Sequence, residues 1–127
     1  MAERTIKAEF EIVKFDESVY EEPVEDPKLT RVTIHKRYQG EIDGTGVAEV
    51  LTAQGTGGGG YVASERIEGV LDGRRGTFVI QHGGLADGPD QSRYGNIIPN
   101  SGTGELAGIS GQAMEFEFQV LTLVYTL

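Results

Sequence analysis

Tyr61-Val62-Ala63-Ser64-Glu65-Arg66-Ile67-Glu68-Gly69-Val70-Leu71-Asp72-Gly73-Arg74-Arg75-Gly76-Thr77-Phe78-Val79-Ile80-Gln81-His82 is two alternating runs around one tight-turn signal. Asp-Gly between β-rich runs is a strong short-range mark of a hairpin, because both residues tolerate the positive φ that a two-residue turn demands. Pairing Tyr61–Leu71 with Thr77–His82 so that apolar meets apolar puts Tyr61, Ala63 and Ile67 on the face of Phe78 and Ile80. Glu65 and His82 then share that face. A two-residue turn at Asp72-Gly73 sets Glu65 opposite Ile80 and diagonal to His82; a turn longer by two residues sets it opposite His82. Either register brings carboxylate and imidazole within about 5–8 Å.

The same alternation runs outward from this hairpin. Thr5–Phe15 carries Ile6, Ala8, Phe10 and Ile12 against Lys7, Glu9 and Glu11, the pattern of a half-buried strand. Leu29–Tyr38, Thr45–Ala53 and Arg93–Ile98 read as further strands. Ala113–Thr126 reads as one long strand whose second half is apolar on both faces, at Leu121, Leu123 and Tyr125. No window shows a helical period beyond a turn or two, the best being Glu105–Ile109 between glycines. In the run Gly102–Gly111 the chain turns sharply, tucks Leu106 and Ile109 inward and re-enters the sheet. Seven or eight strands joined by Gly turns predict one all-β domain over residues 1–127, a closed antiparallel β-barrel. Three segments are expected to be loops: the acidic stretch 16–27, the Gly-rich hairpin tip 54–60, and 83–92.

Composition narrows the function. The 127 residues hold 19 Gly, no Cys and two His, with 11 Lys plus Arg against 20 Asp plus Glu, for a net charge of −9. No disulfide framework, thiolate nucleophile or Cys-ligated metal can be built, and two histidines do not make a His-rich metal site. Six acids and no base fall within 16–27, so two-thirds of the charge sits there. A negative chain has no general pull on nucleic acid or anionic lipid. No apolar run suits a secretory signal or membrane helix, and the expected location is the cytoplasm. The glycine runs 55–60 and 102–108 lack the strand-to-helix context of a phosphate-binding loop. The acidic stretch lacks the alternating ligands and central Gly of a calcium loop, so no cofactor and no metal are expected.

Four blocks occur in order: Gly40-Glu41-Ile42-Asp43-Gly44-Thr45-Gly46; Tyr61–Arg66 with Gly69–Gly73; Gly76-Thr77-Phe78-Val79-Ile80-Gln81-His82-Gly83; and Ser101-Gly102-Thr103-Gly104-Glu105-Leu106-Ala107-Gly108. In these the chain resembles a bacterial family of small proteins grouped only as a domain of unknown function. That family is similar in fold to allene oxide cyclase, a calycin-like barrel, and more remotely to plant dirigent proteins. The resemblance spans about Ile6 to Gly111, and the acidic first loop and the four-Gly tip depart from it. It implies eight antiparallel strands, an apolar ligand cavity and frequent oligomerisation. It supplies no substrate, since fold does not fix function.

Glu65 and His82 in an apolar lumen would suit general acid–base work beside a carbonyl, with Tyr61, Phe78 and Ile80 as walls. The alternative is a structural hydrogen bond of Glu65, or a rim pair with Arg66 or Arg93. Tyr38, Tyr94 and Asn96 are candidates for polar contacts at a cavity mouth, Arg66 or Arg93 for an anionic ligand, and His35 is expected to face solvent. Small inward residues (Ala8, Ala63, Gly69) leave room, whereas Phe10, Phe78, Phe116 and Phe118 fill it. The expected function is binding of a small apolar or amphipathic molecule, with a cofactor-free cyclase or isomerase as its catalytic form. A non-catalytic binding or assembly module with a packed lumen is the alternative. The apolar outer side of the last strand, at Leu121, Leu123 and Tyr125, calls for cover, most simply by a homo-oligomer and alternatively by packing under the acidic loop.

Overall fold

The computed structural model describes residues 2–25 and 27–127. Asp26, inside the expected acidic loop, lies outside the described residues, as does Met1. Eight antiparallel strands follow one another: β1 (Arg4–Glu21), β2 (Lys28–Gly40), β3 (Ile42–Gln54), β4 (Gly58–Leu71), β5 (Arg74–Asp87), β6 (Asp90–Ile97), β7 (Ser110–Glu117) and β8 (Val120–Thr126). Each pairs with the next, and β8 returns to β1, so the sheet closes into a ring. Among the described residues the only helical piece is a 3₁₀ turn at Gly104–Leu106. Leu106 and Ile109, on either side of its end, are buried as the glycine spacing requires.

The central hairpin has the two-residue turn, with Leu71 opposite Arg74 and Glu65 opposite Ile80. The strands elsewhere are longer than the sequence pattern suggests. Residues 16–21, expected in a loop, continue β1, and Gly58–Gly60 open β4 rather than sit in its tip. Residues 83–87 continue β5, and β6 begins at Asp90, so the expected loop 83–92 shrinks to a turn at Gly88-Pro89. The run 16–21 was unreadable because a bulge at Val13 shifts the register between Ile12 and Lys14 and inverts the alternation. Beyond it Phe15, Glu17 and Val19 stand opposite Ile34, Val32 and Thr30, on the concave face.

Ala113–Thr126 is two strands rather than one. Phe118 and Gln119 form a tight turn between Glu117 and Val120, with Gln119 at φ 54°. Leu121, Leu123 and Tyr125 accordingly face into the ring and are buried, so the outer apolar face expected of this segment does not exist. Ala113 and Glu115 point inward on β7, while Phe116 and Phe118 are exposed and fill no interior space.

The strand lengths divide the ring into two halves. Strands β1–β5 hold 13 to 18 residues, whereas β7 and β8 hold eight and seven. Where all eight run together, Ile6, Ala8, Phe10, Tyr38, Ile42, Ile67, Leu71, Phe78, Ile80, Ile97, Leu121 and Leu123 pack into a solid core with Leu106 and Ile109. Past the β7–β8 turn only β1–β6 go on, and the wall opens between β1 and β6. That half carries the smaller cluster Val32, Ala48, Val50 and Ala63, against which Ile34 and Tyr61 lean. No helix among the described residues is long and apolar enough to cross a membrane.

Candidate functional site

A polar group lies at the boundary between the packed and the open half. Lys36 on β2, Glu65 on β4, His82 on β5 and Glu115 on β7 all point inward, at the level where the β7–β8 hairpin ends. Lys36 follows Val32 and Ile34 by strand parity, so the alternation that buries those two also carries its ammonium into the ring. Lys36 Nζ donates to Glu65 Oε1 at 2.9 Å and to Glu115 Oε1 at 3.4 Å, and sits 4.4 Å from the centroid of the Phe10 ring. Tyr38 OH donates to Glu65 Oε2 at 2.5 Å. Both oxygens of Glu65 are thereby held, and its side chain is fully buried.

The space for that carboxylate is made by a neighbour that lacks a side chain. A Cβ on Gly46 would overlap Glu65 Oε2 and lie 2.9 Å from Tyr38 Cε2. Gly95, directly opposite His82 on β6, serves the same end: a Cβ there would overlap the Ala113 carbonyl and lie 3.0 Å from His82 Cβ.

His82 is flanked by both acids. Its Nδ1 is 3.3 Å from Tyr61 OH and 3.6 Å from Glu115 Oε2, and its Nε2 is 4.0 Å from Glu65 Oε1. Nε2 is buried without a hydrogen-bond partner among the described residues. Burial holds the imidazole below its usual range, with Glu115 pulling the other way, so His82 is neutral at neutral pH. Burial acts in the same downward sense on Lys36, but Glu65 and Glu115 outweigh it and keep the ammonium charged above the usual lysine range. Tyr38 is pushed well above the usual phenol range by burial and by Glu65, and Tyr61 is raised by burial and Glu115, so both are hydrogen-bond donors.

Above this floor the open half forms a cleft of about 650 Å³ lined by Thr52, Tyr61, Gly84, Ala86, Gln91 and Arg93 among others. Arg93 points inward and its guanidinium donates to the Glu115 carbonyl. At the far rim Glu17, Gln54, Thr52 and Thr30 are joined by hydrogen bonds across β1, β3 and β2.

The structure therefore brings together Glu65, His82 and Tyr61 of the residues expected from sequence. Phe78 and Ile80 belong to the packed core beneath the site, not to a cavity wall. Arg66, Tyr94 and Asn96 stand on the outer face: Arg66 alternates with buried Glu65 and Ile67, Tyr94 lies over Gly83, and Asn96 pairs with outward Gln81. His35 pairs with outward Lys14 and Val47, on the side expected of it. Lys36, Tyr38 as partner of Glu65, and Glu115 were not found as site residues in the sequence. Parity carried the signal for Lys36, since Val32, Ile34, Lys36 and Tyr38 are one alternating set.

What these features define is an all-β protein, eight antiparallel strands in a ring with a charged cluster at mid-height. Residues 6–122 match the model of a protein family of unknown function, DUF3224, and the chain belongs to that family. It is similar to the crystal structure of a DUF3224 protein of unknown function from Shewanella oneidensis, at 28% identity and a TM-score of 0.88, over 99% of this chain and 98% of that one. No curated protein matches.

Proposed function

We propose that the protein binds a small amphipathic molecule in the open half of the ring. The observation that carries this reading is the concave, partly apolar cleft of about 650 Å³, on whose wall Tyr61 and Arg93 stand and where the Tyr61 hydroxyl lies 3.3 Å from the imidazole of His82 behind it. The ligand's polar end meets Tyr61, His82 and Arg93, and its apolar part lies along Val32, Ile34, Val50 and Ala63. Glu65 is a positioning residue in this reading, because Lys36 and Tyr38 already occupy its two oxygens.

A cofactor-free isomerase or cyclase is the catalytic form of the same reading, favoured by the contact of Tyr61 OH with His82 Nδ1 and by Glu115 behind it. For an α-proton beside a carbonyl, His82 takes the proton, the C–H pair moves into the enolate, and Tyr61 donates to its oxygen. Return of the proton at another carbon completes an isomerisation.

Titration with anilinonaphthalene sulfonate, an amphipathic anion, tests the binding reading. Saturable binding of one dye per chain is expected, with the His82 and Tyr61 ring resonances shifting by NMR. Arg93→Glu, on the exposed part of the cleft, should weaken binding, and Ala63→Phe should block it. Dye bound without any change at His82 or Tyr61, or no binding at all, overturns the reading.

A further inference from the structure

β1 runs well past its last pairing with β8. Arg4–Glu9 are bonded to β8 and the Phe10 N–H reaches the Gln119 carbonyl, but among the described residues Glu11–Glu21 pair with β2 alone. The outer edge of that segment presents unpaired main-chain donors and acceptors over roughly 35 Å, at about 3.3 Å per residue. Every residue from Glu11 to Glu21 is exposed, and five are large and apolar: Ile12, Val13, Phe15, Val19 and Tyr20. A long open edge with apolar side chains on both faces is a template for another strand. The charges along it, Glu11, Lys14, Asp16, Glu17 and Glu21, decide which strand fits. Lys14 and Asp16 meet each other only at 3.7 Å, both largely solvated, so each is available to a partner.

We propose that this edge is a dimer interface, at which β1 of a second copy pairs antiparallel with β1 about a two-fold axis through Phe15. Directly opposed residues of antiparallel strands share a face. Centring on Phe15 sets Phe15 against Phe15 on the concave face and places Lys14 opposite Asp16 of the second copy, twice by symmetry. Centring on Lys14, Asp16 or Glu17 sets a charge against itself, and centring on Ser18 opposes no unlike charges within Glu11–Glu21. The register through Phe15 thus combines an aromatic pair with two attractive ion pairs. It makes one continuous sheet of the two rings and covers apolar surface that the single chain leaves in water. The interface lies on the first strand, not on the last.

Light scattering coupled to size exclusion, at high micromolar concentration, is expected to give the mass of a dimer. Lys14→Glu, which turns both ion pairs into repulsions, should weaken dimerisation about tenfold or more, and Asp16→Lys should do the same. The double variant Lys14→Asp, Asp16→Lys should restore it. All three changes are at exposed positions, and circular dichroism checks that each variant folds. A wild-type monomer overturns the proposal, and so does a dimer indifferent to the single reversals or a double variant that fails to recover.

Discussion

Lys36 Nζ and Glu65 Oε1 are 2.9 Å apart with 5% and 0% of their side chains exposed, so this ion pair is sealed inside the ring. Two ions removed from water lose hydration that their attraction offsets only while both are present. Lys36→Met leaves Glu65 and Glu115 as uncompensated acids against an apolar core, and should cost about 3–5 kcal/mol in urea unfolding. Lys36→Met combined with Glu65→Leu removes both charges and should recover much of that loss. A double variant as unstable as the single one would show that packing of the lysine stem against Phe10, not its charge, supports the fold.

The polar floor also dictates how stability depends on pH. His82 is held below the unfolded value of about 6.5, so the unfolded chain binds the proton more readily than the native one. Its contribution is therefore complete above that value and is lost as the pH falls below it toward the native pKa. Lys36 behaves in the opposite sense: its native value is raised above the unfolded 10.5, so its contribution is present below 10.5 and disappears as the pH rises through the native value. Urea midpoints measured from pH 5 to 7.5 in the wild type and in His82→Asn should separate the first effect. The wild type should lose more stability on acidification than the variant, and parallel curves would mean that the imidazole is not buried in its neutral form.

In the hairpin that carries Glu65 and His82 the inward face was legible in sequence, because period-two alternation fixes it, while Asp72-Gly73 allowed two registers of which the chain adopts the one with the two-residue turn. Two features broke that logic elsewhere. The bulge at Val13 inverts the alternation of β1, which made a charged strand look like a loop. The turn at Phe118-Gln119 carries none of the Gly, Asn, Asp or Pro that mark turns, which merged β7 and β8 into one strand. With the turn hidden, Phe116 and Phe118 read as interior residues, the reverse of their exposed places. Lys36 was hidden by chemistry rather than geometry. Within His35-Lys36-Arg37 a lysine reads as solvated, and only the acids Glu65 and Glu115 on two other strands make its burial tolerable.

Gly46 and Gly95 offer a last test, because both leave room for the cluster but against different neighbours. At Gly46 an added methyl meets the end of the Glu65 side chain and the edge of the Tyr38 ring, groups that can turn aside. Gly46→Ala should fold with a loss of about 1–3 kcal/mol, as overpacking in a core does. The displaced carboxylate should give up its bond from Tyr38, readable as a shift of the Tyr38 ring resonances. At Gly95 the methyl meets the main-chain carbonyl of Ala113, which belongs to β7 and cannot move without parting the seam. That seam is thin, with Asn96 opposite Gln112 its single paired position among the described residues. Gly95→Ala should therefore be the more damaging of the two, lowering the melting temperature further and exposing β6–β7 amides to hydrogen exchange. Equal losses at the two glycines, with β6–β7 protection intact, would show that the ring tolerates a wider seam than its backbone contacts suggest.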